Sequence, residues 1–392
     1  MDRFTRLLKI PNVIAEHDPV VQPIYQSSIF RMPNHKVAAQ TEAAVHPSSY
    51  YTRWGNPTVS YLENQLSTLL GCEASLVFPS GMAAITCAAL TFVSPGDLIA
   101  ASCALYGDTT RFFLEEMRRW GVTVALFDPA CPHALPRLLN QGAKMVYYES
   151  ISNPELCISD LQAIREACEG SKALTVCDCT FSPPGVLKPG VRPADLCIHS
   201  LTKYMSGHYS VFGGSASGEQ SLIDRMWHKQ SLYGSVIDPQ AAWQISQGLK
   251  TLALRIARQS ATAQMLAQRI AAHPQVEQVF HPSLDSRPGA ASAAQKYLLS
   301  GGGVIALSLK GGEGAALRMI ERTQVFGLSV SLGGICSCIE HAQSMSHSML
   351  GTMDHNVLST SGSSVPPASL VRLSVGIEEP DDLLHDLVSA LE

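Results

Sequence analysis

Between about residues 74 and 230, short apolar runs alternate with helix-patterned segments. ASLVFPS, DLIAAS, VTVALFD, KMVYYES, ALTVCDC and DLCIHSL have the length and composition of strands. GMAAITCAALTFV and TTRFFLEEMRRWG read as helices, the second with a glycine stop. Strands that alternate with helices are joined by crossovers, which constrains the chain to a mostly parallel sheet covered on both faces. In such sheets ligands gather beyond the carboxyl ends of the strands, so the residues that follow each strand are the ones to inspect.

The flanks read differently. The stretch to about residue 60 is rich in Pro, Ser and aromatics and lacks helical periodicity, as an extended arm would. A helix fits 57–70, with Pro57 in its first turn and Gly71 as its stop. Residues 236–272 read as a long connector helix that ends before Pro274. VEQVFHP, GGGVIALSLK and LVRLSVGIE follow as strands, with helices near 313–323 and 380–391 and a Gly/Ser-rich loop at 359–364. The expected division is an arm over 1–60, an α/β domain over 61–235, and a connector with a smaller α+β domain over 236–392.

Composition narrows the function. Hydrophobic residues are 46% and charged residues 16% of the 392, enough to bury a large core. The net charge of −5 argues against nucleic-acid binding by bulk charge and leaves room for local anion pockets. No apolar run approaches the roughly 18 residues that span a bilayer, and the first residues lack the apolar core of a signal peptide. The 11 cysteines are scattered without a framework, which points to reduced thiols and a cytoplasmic protein. The pairs Cys177/Cys179 and Cys336/Cys338 have neither zinc-knuckle nor redox spacing, so no metal is expected.

Several strand ends carry chemistry. In PSGMAA, Ser80, Gly81 and Met82 open a helix, which makes either an anion site or an ordinary N-cap. In HSLTKYMSGH, Ser200 and Thr202 are two apart and share a face in extended backbone, with Lys203 directly after them. Lys203 is thus either a Schiff-base lysine, its amine reaching an aldehyde while the hydroxyls hold a phosphate, or a surface lysine at a strand end. In TVCDCTF, Asp178 and Thr180 lie on one face of an apolar strand and the two cysteines on the other. A carboxylate there needs a cation, whether a protonated pyridine nitrogen or a nearby Arg or Lys. Tyr106 is placed either to cover a planar ring or to pack, and Glu149 and Asn153 follow another strand.

With these residues assembled, the chain resembles the Cys/Met-metabolism family of pyridoxal-phosphate (PLP) enzymes. That family includes the cystathionine lyases and γ-synthases, methionine γ-lyase and the O-acetylhomoserine sulfhydrylases. The resemblance runs from PIYQSSIF to LVRLSVGIEEPDDL through YTRWGNPT, FPSGMAA, LYGDTTRFF, ESISNP, CDCTFSPPG, HSLTKYMSGH, SLGGICSCIEHAQSMSH and VRLSVGIE, in order. It implies the fold-type I, aspartate aminotransferase-like architecture. It also implies a homotetramer, a dimer of dimers with active sites shared across the dimer. Among the residues, Lys203 would carry the cofactor and shuttle protons, while Asp178, on the face it shares with Thr180, would pair with the pyridine nitrogen. Ser80, Gly81, Met82, Ser200 and Thr202 would bind the phosphate. Tyr51 and Arg53 would reach the phosphate of the neighbouring subunit's cofactor. Tyr106 would stack on the ring and help move protons, and Asn153 would contact the phenolic oxygen. Arg372, with Ser337 nearby, would hold the substrate α-carboxylate, while Tyr51, Arg111 and Cys336 would lie toward the substrate.

Departures from the family refine the expectation. Cys336 stands where SLGGxES often has Glu near the distal part of the substrate, which argues against cystathionine. Ser210 replaces a usual Asp, Asp108 stands where methionine γ-lyases carry Cys, and Leu332 where bacterial β-lyases carry Trp. The resemblance thus implies γ-elimination from a homoserine- or homocysteine-derived amino acid, giving a 2-oxo acid and ammonia, or alternatively γ-replacement. A non-catalytic relative would have lost its chemistry, yet Lys203, Asp178 and Arg372 are all intact.

Overall fold

The fold is that of a computed structural model, which describes residues 1–12, 19–287, 289–348 and 365–392. The glycine- and serine-rich loop expected at 359–364 lies outside the described residues. The chain forms two compact units. One comprises Met1–Phe92 with Asp195–Thr251, the other Val93–Ala194 with Leu252–Glu392. In chain order the strands are β1 (Ala74–Phe78), β2 (Leu98–Ser102), β3 (Thr123–Phe127), β4 (Ala143–Glu149), β5 (Leu174–Asp178) and β6 (Leu196–His199). They continue with β7 (Gly214–Gly218), β8 (Val276–Phe280), β9 (Val304–Leu309), β10 (Gly327–Leu328), β11 (Cys338–His341) and β12 (Leu370–Ser374).

In the first unit, β7 lies between β1 and β6 and is antiparallel to both. Its sequence GSASG has no apolar run to mark a strand, and its pairing on both sides makes it one. A Cβ on Gly214 would stand 2.1 Å from the Ser80 carbonyl oxygen, so only glycine lets this backbone pass. The helix Pro57–Leu70 matches its expected bounds. Asn56 caps it by accepting from the Thr58 N–H, and Gly71 stops it at φ 69°. Its Tyr61, Leu62, Leu66 and Leu69 are buried, and it packs on β1 and on the helix Pro239–Leu249. The amino-terminal stretch is less extended than its sequence suggests. Asp2 and Asn34 cap two short helices, Arg3–Leu7 and His35–Glu42.

In the second unit, β5, β4, β2 and β3 are neighbours in that order and all parallel. The pairing of β4 with β5 sets Glu149 beside Asp178 at their carboxyl ends. The segment expected as one helix after β2 is α-helical over Gly107–Arg111 and π-helical over Phe112–Met117, where the Phe113 ring packs 4.8 Å from that of Tyr147. A second sheet, ordered β10-β11-β12-β9-β8, is covered on one face by the helices Leu252–Ile270, Gly312–Arg322 and Pro380–Leu391. Ile305, Leu307, Ile339, Val371 and Leu373 from its strands meet Leu266, Met319 and Leu387 in a core. The expected connector over 236–272 is two helices, Pro239–Leu249 and Leu252–Ile270, broken at Lys250 and Thr251. No helix among the described residues is long and apolar enough to cross a membrane.

Candidate active site

In the first unit, the helix Gly81–Phe92 begins directly after β1. The Ser80 hydroxyl accepts from the Ala83 N–H at 3.1 Å, so Ser80 is an N-cap. The helix end abuts the turn after β6, since a Cβ on Gly81 would stand 2.9 Å from Ser200 Cβ and 3.2 Å from its hydroxyl. That turn departs from the extended backbone expected for Ser200 to Thr202. The Lys203 N–H bonds back to the Ser200 carbonyl at 3.2 Å and closes it. Thr202 then donates to the Gly213 carbonyl at 3.2 Å and accepts from its N–H at 3.0 Å. The Lys203 carbonyl accepts from Gly207, which fixes the lysine backbone between two hydrogen bonds. Tyr51 and Arg53 lie apart on the arm, the guanidinium 5.1 Å above the Tyr51 ring and bonded to the Ser231 carbonyl.

In the second unit the groups are charged and enclosed. Asp178 Oδ1 accepts from the Thr180 N–H at 2.8 Å, and Glu149 Oε1 accepts from the Tyr106 N–H at 2.6 Å. Asp178 keeps part of its surface open, yet so much protein surrounds it that desolvation pushes its carboxyl above the usual range. Glu149 is pushed well above it, by burial first and then by the neighbouring Asp178. The Tyr106 hydroxyl donates to Asp108 Oδ2 at 2.9 Å, and burial followed by the Asp108 charge holds the phenol protonated. Its ring is edge-on to His347 at 6.4 Å, and His347 bonds the Asn153 carbonyl at 3.2 Å. Asn153 Oδ1 accepts from Arg372 Nη1 at 2.9 Å. Arg372 also donates to the Ser331 carbonyl at 2.8 Å and pairs with Glu340 at 3.0 Å. Strand pairing, hydrogen bonds and one edge-on ring contact together form a network that links Asp178, through Glu149, Tyr106, His347 and Asn153, to Arg372.

Two expected site residues are engaged elsewhere, and a third is exposed. Ser337 donates its hydroxyl to Glu378 at 2.8 Å and accepts from the Gly376 N–H at 2.8 Å. Arg111 pairs with Glu115 at 2.9 Å and is half exposed. Cys336 is exposed.

A family model described as "Cys/Met metabolism PLP-dependent enzyme" matches residues 5–392. The chain belongs to this family. An L-methionine gamma-lyase of Pseudomonas putida is 36% identical over 375 residues, covering 95% of this chain and 92% of that protein. A cystathionine gamma synthase from Xanthomonas oryzae pv. oryzae, crystallised with aminoacrylate and cysteine, has a TM-score of 0.89 at 31% identity, covering 100% of this chain and 98% of the other. A putative O-acetylhomoserine (thiol)-lyase from Campylobacter jejuni subsp. jejuni has a TM-score of 0.90 at 28% identity, with 100% of each chain covered, and carries N'-pyridoxyl-lysine-5'-monophosphate. This Cys/Met-metabolism enzyme therefore has the mixed α/β fold of the PLP-dependent transsulfuration enzymes, with a mostly parallel sheet, and PLP is its cofactor.

The residues present fit that group. Gly81 lets a helix amino terminus and the Ser200 turn approach within van der Waals contact, which concentrates N–H and hydroxyl donors as a phosphate requires. Asp178, held above its usual range by desolvation, would be relieved by a protonated pyridine nitrogen. Sequence reasoning passed over Glu340, Ser346 and His347, and noted Asp108 only as a departure from the family, not as the partner of Tyr106. Glu340 carries the same signal that marked Asp178, a carboxylate within an apolar strand, and its partner Arg372 is the one charge in LVRLS.

Proposed function

We propose that this PLP enzyme removes the γ-substituent of a homoserine- or homocysteine-derived amino acid, releasing a 2-oxo acid and ammonia. The observation that carries the reading is the network from Asp178 to Arg372. It joins a carboxylate suited to a pyridine nitrogen, a protonated tyrosine and a buried guanidinium suited to an α-carboxylate. When bound, PLP supplies an electron sink for carbanions formed at the substrate's α- and β-carbons.

In this reading Lys203 holds the cofactor and then moves protons at the substrate carbons. Asp178, beside Thr180, keeps the ring nitrogen protonated. Ser80, Gly81, Met82, Ser200 and Thr202 hold the phosphate. Asn153 serves both the cofactor's phenolic oxygen and Arg372. Tyr106 covers the ring, and Asp108 aims its hydroxyl. Arg372 binds the substrate carboxylate, and Ser337 supports that end through its bonds to Glu378 and Gly376. Arg111 and Cys336 flank the substrate's distal end. A γ-replacement reaction, in which a thiol takes the leaving group's place, is favoured by the likeness to the cystathionine synthase and the thiol-lyase.

Tyr51 and Arg53, on the amino-terminal arm, support a homotetramer in which each subunit completes its neighbour's phosphate site. The proposed division into arm, cofactor domain and carboxyl-terminal domain follows from that arrangement. Sedimentation showing a fully active monomer would count against it. Eleven free cysteines support a cytoplasmic setting. A panel of cystathionine, homocysteine, methionine, canavanine and O-acetyl-, O-succinyl- and O-phosphohomoserine tests the function. Release of 2-oxo acid without a thiol supports elimination, and release only of a thioether product when thiol is added supports replacement. A yellow holoenzyme that turns over none of them refutes both.

A further inference from the structure

Glu340 on β11 and Arg372 on β12 are directly opposite in the strand pairing, and their side chains meet at 3.0 Å with 1% and 3% exposure. The guanidinium read as the receptor for a substrate carboxylate thus already holds a carboxylate of its own. The pair is not closed, however. Glu340 Oε2 and Arg372 Nε are both buried and have no hydrogen-bond partner among the described residues. Other donors of the guanidinium are committed, Nη1 to Asn153 and Nη2 to the Ser331 carbonyl. Ser331 presents that carbonyl from a backbone at φ 86°, a conformation serine enters only at a cost. Arg372 is therefore fixed in place with an N–H left open, and Glu340 is fixed beside it with an oxygen left open.

We propose that Glu340 is a positioning residue for Arg372 and takes up a proton from solvent when an α-carboxylate binds there. The inference rests on the reading of Arg372 as the carboxylate receptor. Two ionised carboxylates on one buried guanidinium repel each other where little water screens them. Protonation at Oε2 removes that repulsion. Oε1 meanwhile keeps its contact with Arg372 and the hydrogen bond from the Ser346 hydroxyl at 2.6 Å, so the guanidinium stays aimed. No covalent bond other than the new O–H is formed, and no electrons move.

Among the described residues, the surroundings offer no other charge to compensate. His347, reached through Ser346, is pushed down to about 4 by burial first and then by Arg372, so it stays neutral. Tyr106 is a neutral phenol, and Asp108 behind it adds a second negative charge. His341, next on β11, is bonded to Ser344 and to the Ala368 carbonyl. Gly327 and Leu328 of β10 do not titrate. The helix Gly312–Arg322 covers the other face of β11 through Ala316, Met319 and Ile320 packed with Ile339.

Calorimetry of the holoenzyme with pentanoate, a carboxylate that lacks the amino group, tests this in two buffers of different ionisation enthalpy. Close to one proton should be taken up per pentanoate bound between pH 7 and 8.5, with Kd rising by up to about tenfold per pH unit. Glu340→Gln should bind pentanoate more tightly at pH 8.5, take up no proton and lose the pH dependence. A merely structural role for Glu340 would weaken binding without altering the proton count. Wild-type binding with no proton uptake and a flat Kd overturns the inference without need of any variant. Arg372→Gln separates the two readings. Pentanoate that binds this variant as tightly as wild type overturns the carboxylate reading and the inference together. Binding that Arg372→Gln weakens, with no proton uptake in the wild type, overturns the inference alone.

Discussion

The two units meet their local chemical demands by opposite means. In the first, the groups assigned to the subunit's own phosphate are neutral, a helix terminus and hydroxyls, and close backbone approach at Gly81 and Gly214 holds them. In the second, the groups are charged and enclosed, and hydrogen bonds or an ion pair hold them: Asp178 accepts from the Thr180 N–H, Glu149 from the Tyr106 N–H, and Arg372 pairs with Glu340. Neutral donors cost little to gather, so glycine and tight turns suffice. Buried charges cost several kcal/mol each unless paired or hydrogen-bonded, so each brings an opposite charge or a backbone N–H with it. The first region should therefore fail by steric intrusion and the second by unpairing.

The sharpest break is Lys203→Ala. It should abolish turnover while leaving the fold intact, and borohydride reduction followed by peptide mapping should label Lys203 in the wild type. Label on another lysine would refute the assignment. Next, Arg372→Ala strands the buried Glu340 carboxylate and should cost about 3–5 kcal/mol of stability. The double variant Arg372→Met with Glu340→Met should recover much of this in chemical denaturation, because it removes both charges. Equal losses in the single and double variants would show that packing, not charge, governs this region.

Gly214→Ala tests the other side of the comparison. Its methyl group would overlap the Ser80 carbonyl, so the strand must shift, at about 1–3 kcal/mol. PLP affinity should fall with stability, read from cofactor absorbance after dialysis. Retained affinity would separate the β7 packing from the phosphate cradle. The smallest effect concerns specificity. Cys336→Glu places a charge where the family often has one and should raise kcat/KM for cystathionine, relative to an uncharged substrate, by roughly tenfold. An unchanged ratio would remove Cys336 from the distal pocket.

Much of this was legible in order along the chain. The helix Pro57–Leu70 declared both ends through Asn56, Pro57 and Gly71, because capping is a local property. The strands β1 to β6 announced themselves as apolar runs between helices, and motif order along the chain singled out Lys203, Asp178 and Arg372 as the residues to test. β7 did not show itself, because Gly-Ser-Ala-Ser-Gly has no strand composition and gains its place only from β1 and β6 on either side. The break at Lys250 and Thr251 was equally silent. Gly248 just before it lies against the Ser206 backbone, where a Cβ would stand 2.2 Å from the carbonyl oxygen, and no local pattern records such a contact.

The sequence by itself determined which residue types stand at each strand end, since alternation and motif order are properties of the chain read linearly. The tertiary structure decided which of them face one another. Glu340 and Arg372 are 32 positions apart (372 − 340), and only the antiparallel register of β11 with β12 makes them a pair. The same holds for Asp108 beneath the Tyr106 hydroxyl, for Glu149 beside Asp178, and for the Ser337 hydroxyl turned to Glu378. Each of those depends on a rotamer, a register or a turn whose energy is settled by neighbours distant in sequence, so it becomes fixed only when the chain has folded around it.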